Sequence, residues 1–268
     1  AGSPWIPTDT LSIRISGLLQ NVDANAASSF DADPQTLEPI VTDPFTGNAL
    51  GGRRVRTEFY PVFNEVEYRL LNGTINWDVG FGTITSVTSF GTLDQHQLTD
   101  NTQTLGGLVT LLYGSATPLG IFLDAEINQD KFTQELRLAS NPGERFEWLI
   151  GGYYTDESVD LLQDFRIFDQ GTLAIRDPAL LGQEDFADIE LISHYEEIAA
   201  FANVTFHITP QWQVSAGGRY SHNEQESDQR IEGAFVILTG GTPPQISAGD
   251  SLERVVIWWV CTLYQLPV

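Results

Sequence analysis

The stretch HNEQESD, residues 222–228, sets His222, Glu224, Glu226 and Asp228 at every second position, on one side of any strand it forms. An imidazole and several carboxylates aligned this way are the donors that a hard cation or zinc takes. The plainer origin of such a run is a solvated strand end. His96, His194 and His207 do not reinforce the metal reading, because they are scattered and show no HExxH or paired spacing. Carboxylates are also dense across 156–197, among them Asp156, Glu157, Asp160, Asp164, Glu184, Asp185, Asp188 and Glu190. A glycosidase needs two carboxyls held at a defined separation, and nothing in this run singles out two. Gly80-Phe81-Gly82 begins like a dinucleotide loop, but Thr85 stands where the third glycine belongs and a strand pattern follows. There is no Gly-x-Ser-x-Gly elbow and no phosphate loop. The lone Cys261 excludes an internal disulfide framework and a cysteine zinc cluster. The sequence therefore names no catalytic residue and implies no cofactor.

Composition narrows the partners. The 268 residues carry 13 basic and 36 acidic side chains, a formal charge of −23. Phosphate binding is driven by clustered Lys and Arg, so a nucleic-acid surface is excluded. Hydrophobic content of 41% is too high for a disordered chain. The opening AGSPWIPTDT has no apolar leader core, so a signal peptide is expected to have been removed or to lie outside this piece. The longest apolar run is VVIWWVC, 255–261. A spanning helix takes ~20 such residues, whereas a spanning β-strand takes only ~9–11 with alternate residues apolar.

The elements that would position these residues are long hairpins. In FTQELRLASNPGERFEWLIGGYY, Phe132, Leu136 and Leu138 share one face and Thr133, Glu135 and Arg137 the other. After the turn Asn141 to Arg145, Phe146, Trp148, Ile150 and Tyr154 again share one face. In residues 198–224, Ile198, Ala200, Ala202, Val204 and Phe206 alternate with polar neighbours up to the turn Thr209-Pro210-Gln211. Trp212, Val214, Ala216, Gly218 and Tyr220 continue the pattern, with Arg219 on the opposite face. NGTINWDVGFGTITSVTSFG, 72–91, predicts a third hairpin turning at 78–82, and PWIPTDTLSIRISGLLQ predicts a fourth at 7–10. Short turns thus alternate with long polar segments at 22–62, 95–127, 158–190 and 227–250. Strands approaching fifteen residues exceed the usual ~5–6 and would project beyond a bilayer. Trp5, Trp77, Trp148 and Trp212 lie beside the short turns, and Tyr154 and Tyr220 lie further along, as two aromatic girdles require. A β-sandwich core is the alternative explanation of the alternation. Within 105–123, LGGLVTLLYG and PLGIFL predict a short amphipathic element, either folded over a barrel mouth or packed under its own loop.

Taken together, the F-x-Q-E-L-R-L-x-S strand, its return strand FEWLIGGYY and the hairpin EEIAAFANVTFHITPQWQVSAGGRYSHNE resemble the barrel of TonB-dependent outer-membrane receptors of the iron-complex type, over about residues 1–254. The resemblance implies an all-β fold: part of an antiparallel transmembrane β-barrel, about nine long strands in an open curved sheet, with short periplasmic turns and long extracellular loops. It implies TonB-dependent uptake of a scarce ligand such as a ferric siderophore, haem, cobalamin or a glycan, in the outer membrane of a Gram-negative bacterium, and no catalysis. The implied partners are outer-membrane lipid and the small-molecule ligand, with the TonB complex engaged only through a plug domain that this piece lacks. Arg137 and Arg219 then face the lumen, where they pair with neighbouring carboxylates or meet an anionic chelate. The competing functions are a passive porin-like channel and a soluble secreted β-sandwich that binds or hydrolyses carbohydrate. The loss of alternation in SLERVVIWWVCTLYQLPV predicts a gene fragment whose reading frame is altered near residue 256. The expected domain is therefore a partial receptor barrel over 1–268.

Overall fold

The computed structural model describes residues 4–25, 32, 38, 56–176, 179–209, 212–260 and 264–265, with side chains to 249 and at 251. Alternating sequence becomes strand throughout. The strands are β1 (Trp5–Thr8), β2 (Leu11–Ala24), β3 (Phe63–Asp78), β4 (Gly82–Asp100), β5 (Leu119–Ser140), β6 (Phe146–Asp169), β7 (Ala187–Thr209), β8 (Trp212–Glu232), β9 (Gln245–Val260) and β10 (Tyr264–Gln265). Two helices, α1 (Thr102–Leu112) and α2 (Ala234–Leu238), lie in the long connections.

All ten strands form one antiparallel sheet in chain order up to β8, where β9 and β10 share the far edge at different heights. β1 and β9 do not meet, so the sheet is an open wall, as expected. A single sheet has no second sheet to pack on, which removes the sandwich. No helix among the described residues is long and apolar enough to cross a membrane.

The short turns hold as read. Gly80 donates its N–H to Asp78 Oδ1 at 2.8 Å. Gly143 takes a φ of 87°, open to glycine without the Cβ clash, and donates to Glu147 Oε1 at 2.7 Å. Asn141 Nδ2 reaches the Gly80 carbonyl at 2.8 Å and ties two neighbouring turns together. Pro210, Gln211 and Cys261 lie outside the described residues, as do 261–263 and 266–268 of the segment expected to be out of frame.

One expectation is corrected. The sequence predicts long polar connections at 95–127, 158–190 and 227–250. β4 instead runs on to Asp100, β5 starts at Leu119, β6 continues to Asp169, β7 starts at Ala187 and β8 reaches Glu232. β5, β6 and β7 are 22, 24 and 23 residues long. The period of two persists through the acidic stretch, but its apolar phase reverses. Near the short turn, Trp148, Ile150 and Tyr154 occupy the outer face of β6; further along, Val159, Leu161, Phe165 and Ile167 occupy the inner face.

That reversal follows the surroundings. The outer band is apolar and exposed, as a lipid-facing surface would be: Ile15 is 74% exposed, Ile150 55% and Ile198 60%. The cross-strand register sets Trp5, Trp77 and Trp148 on the same side as this band. From Trp212 to Tyr220 the strand covers roughly 26 Å at ~3.3 Å per residue, which at ~40° tilt spans ~20 Å, most of a ~25 Å apolar belt. Beyond the belt the outer face meets water and turns acidic. The inner face there carries the apolar cluster of Val109, Leu119, Ile121, Ile167, Phe186 and Ala187.

α1 builds that cluster. It takes the place of β4 beside β5, where the strand edge would otherwise be unpaired. Leu119 N–H donates to Thr110 Oγ1 at 2.9 Å, and Ile121 N–H to Thr102 Oγ1 at 3.1 Å. A Cβ on Gly106 would lie 2.9 Å from Thr102 Cγ2 and 3.0 Å from the Leu119 carbonyl oxygen, so any larger residue would push α1 away from β5. Val109, fully buried, then meets the inner-face residues. The amphipathic element predicted for 105–123 therefore folds over the inner face at the loop end.

Candidate functional site: the inner face of the wall

The inner face is a ladder of paired polar side chains. In the turn-proximal half, Thr85 donates to Asn76 Oδ1 at 2.9 Å, Ser89 and Thr133 hydroxyls bond each other, and Thr205 meets Ser215 at 2.9 Å. Further along, Lys131 Nζ lies 2.7 Å from Glu157 Oε2, and Gln129 Nε2 lies 2.7 Å from the other oxygen. His207 Nε2 sits 3.4 Å from Glu147.

Arg137 and Arg219 fall in one cross-strand row, Arg137–Gly151–Phe201–Arg219. Three strand spacings separate them, roughly 14 Å, and each is neutralised locally. Arg137 pairs with Glu135 on its own strand at 3.3 Å. Arg219 pairs with Glu197 on β7 at 2.5 Å, and its guanidinium lies 5.3 Å from the Tyr153 ring centroid. Tyr195 O–H donates to Glu197 at 3.2 Å and completes the carboxylate's shell. Between the arginines the Phe201 ring covers Gly151. Glu197, Tyr153 and Tyr195 went unnoticed in the sequence. Their only signal is parity along a strand, and the register that joins them to Arg219 exists only once the hairpin turn is fixed.

His222, Glu224 and Glu226 lie on the other side. The register pairs them with Ile198, Glu196 and His194, on the outer face just past Tyr154 and Tyr220. Glu224 and Glu226 are exposed, Nδ1 of His222 has no hydrogen-bond partner, and among the described residues no three His, Cys, Asp or Glu side chains are grouped to hold a metal ion.

The carboxylates of the sequence run divide by face and depth. Asp156 approaches His194 at 3.8 Å on the outer face. Asp169, nearly buried at the end of β6, accepts from the Thr117 hydroxyl at 2.9 Å and from the N–H groups of Gly171 and Thr172 at 3.0 Å. The Thr117 bond, then those from Thr172 and Gly171, hold its pKa below the ordinary value. Arg176 lies 3.7 Å away. Asp188 stands opposite Asp164 on β6 and Glu232 on β8, some twenty residues from the short turn and well outside the lipid belt. Burial first, then the neighbouring Asp164 and Asp185 carboxyls, push its pKa up to about 7. Asp164 Oδ1 is buried without a hydrogen-bond partner beside it. No two of these carboxylates face a common cleft on the inner side.

On the inner face of β3 to β5 there is a cavity of about 290 Å³, lined by Tyr68, Leu70, Ser89, Gly91, Leu93 and Lys131 among others. Above it, α1 turns Leu108 and Leu111 away from the sheet, 49% and 78% exposed.

Comparison with known proteins agrees with this architecture. Residues 7–249 match the family described as TonB dependent receptor-like, beta-barrel. No curated protein matches the chain. Among solved structures it is similar to the ferric yersiniabactin uptake receptor FyuA from Yersinia pestis, with a TM-score of 0.63 at 12% identity. The similarity covers 93% of this chain and 32% of that one, so the chain spans about a third of FyuA's length. A single antiparallel wall, apolar and aromatic-edged outside and polar and charge-paired inside, matched along nine-tenths of its length by the family's own pattern, has one reading: the chain belongs to the TonB-dependent receptor-like β-barrel family.

Proposed function

We propose that this chain is wall from an outer-membrane receptor that takes up a scarce small molecule, a ferric chelate in the first instance, with energy from the TonB complex. The family match over residues 7–249 carries the reading. FyuA, the similar structure, is a ferric yersiniabactin uptake receptor, which motivates the choice of a ferric chelate. The exposed apolar belt edged by Trp5, Trp77 and Trp212 fits a partner of membrane lipid, and the polar ladder inside fits contact with a plug domain and water. Location in the outer membrane of a Gram-negative bacterium and coupling to TonB through a plug follow from the same reading. In it the loop-side ends capture the ligand and no bond is made or broken.

The test is uptake of radioiron chelate by cells that carry the gene and by cells from which it is deleted, with and without a protonophore. Uptake that needs both the gene and the proton-motive force is expected. Gene-dependent entry that continues after the proton-motive force collapses assigns the wall to a passive channel instead.

A further inference from the structure

The charge on this protein is distributed by face. Residues 101–123, which form α1 and the start of β5, contain no charged side chain in a chain of net charge −23. From β3 to β8, the charged residues that the register sets on the inner face of the loop half are matched. Lys131 pairs with Glu157, Arg219 with Glu197, and Asp169 is held by Arg176 and four hydrogen bonds. The acids left over, such as Asp130, Asp160, Glu190, Glu196 and Glu226, are exposed on the outer face. A ligand reaching the inner face thus approaches through a negative field and arrives at a surface with no charge to spare.

We propose that the inner face of the loop half, from the exposed side of α1 down to the cavity beneath Tyr68 and Leu93, binds a ligand of zero net charge with apolar bulk and hydrogen-bonding groups. The inference rests on the ferric-chelate reading above and narrows it to one chemical class. An anion is repelled by the acidic surroundings within about a Debye length, ~8 Å at physiological salt, and finds no unpaired cation among the described inner-face residues of β3 to β8. A cation is drawn to the outer face but finds no unpaired carboxylate inside, so its desolvation is not offset. A neutral molecule meets neither obstacle. Leu108 and Leu111 offer it apolar contact at the loop end, and the Tyr68 hydroxyl and the Gln129 side-chain carbonyl offer it uncharged hydrogen-bonding groups at the cavity, roughly 26 Å further down β5.

The experiment measures equilibrium binding to outer-membrane vesicles from cells carrying the gene, against vesicles from the deletion strain. Three probes of similar size are compared at about 20 and about 150 mM salt: a neutral ferric tris-hydroxamate, a trianionic ferric tris-catecholate and a monocationic ferric tris-hydroxamate. The neutral chelate is expected to bind at least tenfold more tightly than either charged one, with an affinity that salt leaves unchanged. Leu111→Asp, at an exposed helix position where folding is not at stake, is expected to weaken that binding roughly tenfold, the effect of one lost apolar contact. Tighter or equal binding of the trianion, or a Leu111→Asp variant that binds as the parent does, overturns this inference and leaves the ferric-chelate reading standing. Binding of none of the three overturns the ferric-chelate reading, and this inference with it.

Discussion

The turn-proximal and loop-proximal halves of the same strands are built to opposite rules. Near the short turns the outer face is apolar and the inner face polar; past Tyr154 and Tyr220 the outer face turns acidic, the inner face holds the cluster around Val109, and Phe122 and Phe168, outer by parity, are buried against Tyr60. No bulge is recorded between the halves in β3 to β7, so every side chain keeps the face its parity assigns. What changes is the medium. In a membrane the first half would have lipid outside, with its backbone groups satisfied within the sheet. The second half would have water outside, and its apolar residues are covered inward by α1 and α2 or outward by Tyr60. One wall therefore draws its stability from two sources, and each can be disturbed separately.

The largest effect is expected from emptying the loop-half cluster. Ile121→Ala at a fully buried position should cost about 2–5 kcal/mol of local stability. Hydrogen exchange should show it as faster opening of α1 and the ends of β5 and β6, with the turn half unchanged. Uniform loss of protection along both halves breaks the comparison. Next comes the lipid belt. Ile150→Arg should cost about 2–4 kcal/mol in refolding into phospholipid vesicles, whereas Asp160→Arg on the same face but past the belt should stay within about 0.5 kcal/mol. Equal costs at the two sites would place Asp160 in lipid.

A smaller effect concerns pH. Burial and the neighbouring Asp164 and Asp185 carboxyls push the pKa of Asp188 up to about 7 from the ordinary 3.8, so its proton favours the folded loop end. That contribution is complete below about pH 4 and disappears as pH rises through about 7. Protection of the β6 and β7 loop ends should therefore fall between about pH 4 and 7, and Asp188→Asn should flatten the fall while leaving the β5–β6 turn untouched. A parent protein with flat protection over that range contradicts the assignment. The smallest expected change is at the inner ion pair: Glu197→Gln should cost about 1 kcal/mol, because the pair is partly solvated. A double-mutant cycle with Arg219→Gln measures the coupling, and a value near zero would leave Arg219 held by Tyr153 and Phe201 alone.

Much of this was legible in the residues. The alternation around Trp148 and Trp212 located two hairpins and their turns, and the positions of the tryptophans placed the belt edge. The acidic stretch from 156 hides the continuation of β6, because apolar residues leave the outer face there. Val159, Leu161, Phe165 and Ile167 carry the same period in the opposite phase. For 105–123 both placements were open, since hydrophobicity says that α1 is covered on one side and does not say by what. Glu197 lies 22 residues from Arg219, and no local pattern connects them.

The sequence by itself determined that the chain makes long antiparallel strands with one lipid-compatible face. Side-chain parity and turn chemistry are local properties, and each strand carries its own copy. Only the tertiary structure decided where the belt ends, which carboxylate neutralises each arginine, and that α1 folds in over the inner face. Those outcomes depend on which medium meets each face and on the register between strands, and neither exists until the wall is assembled.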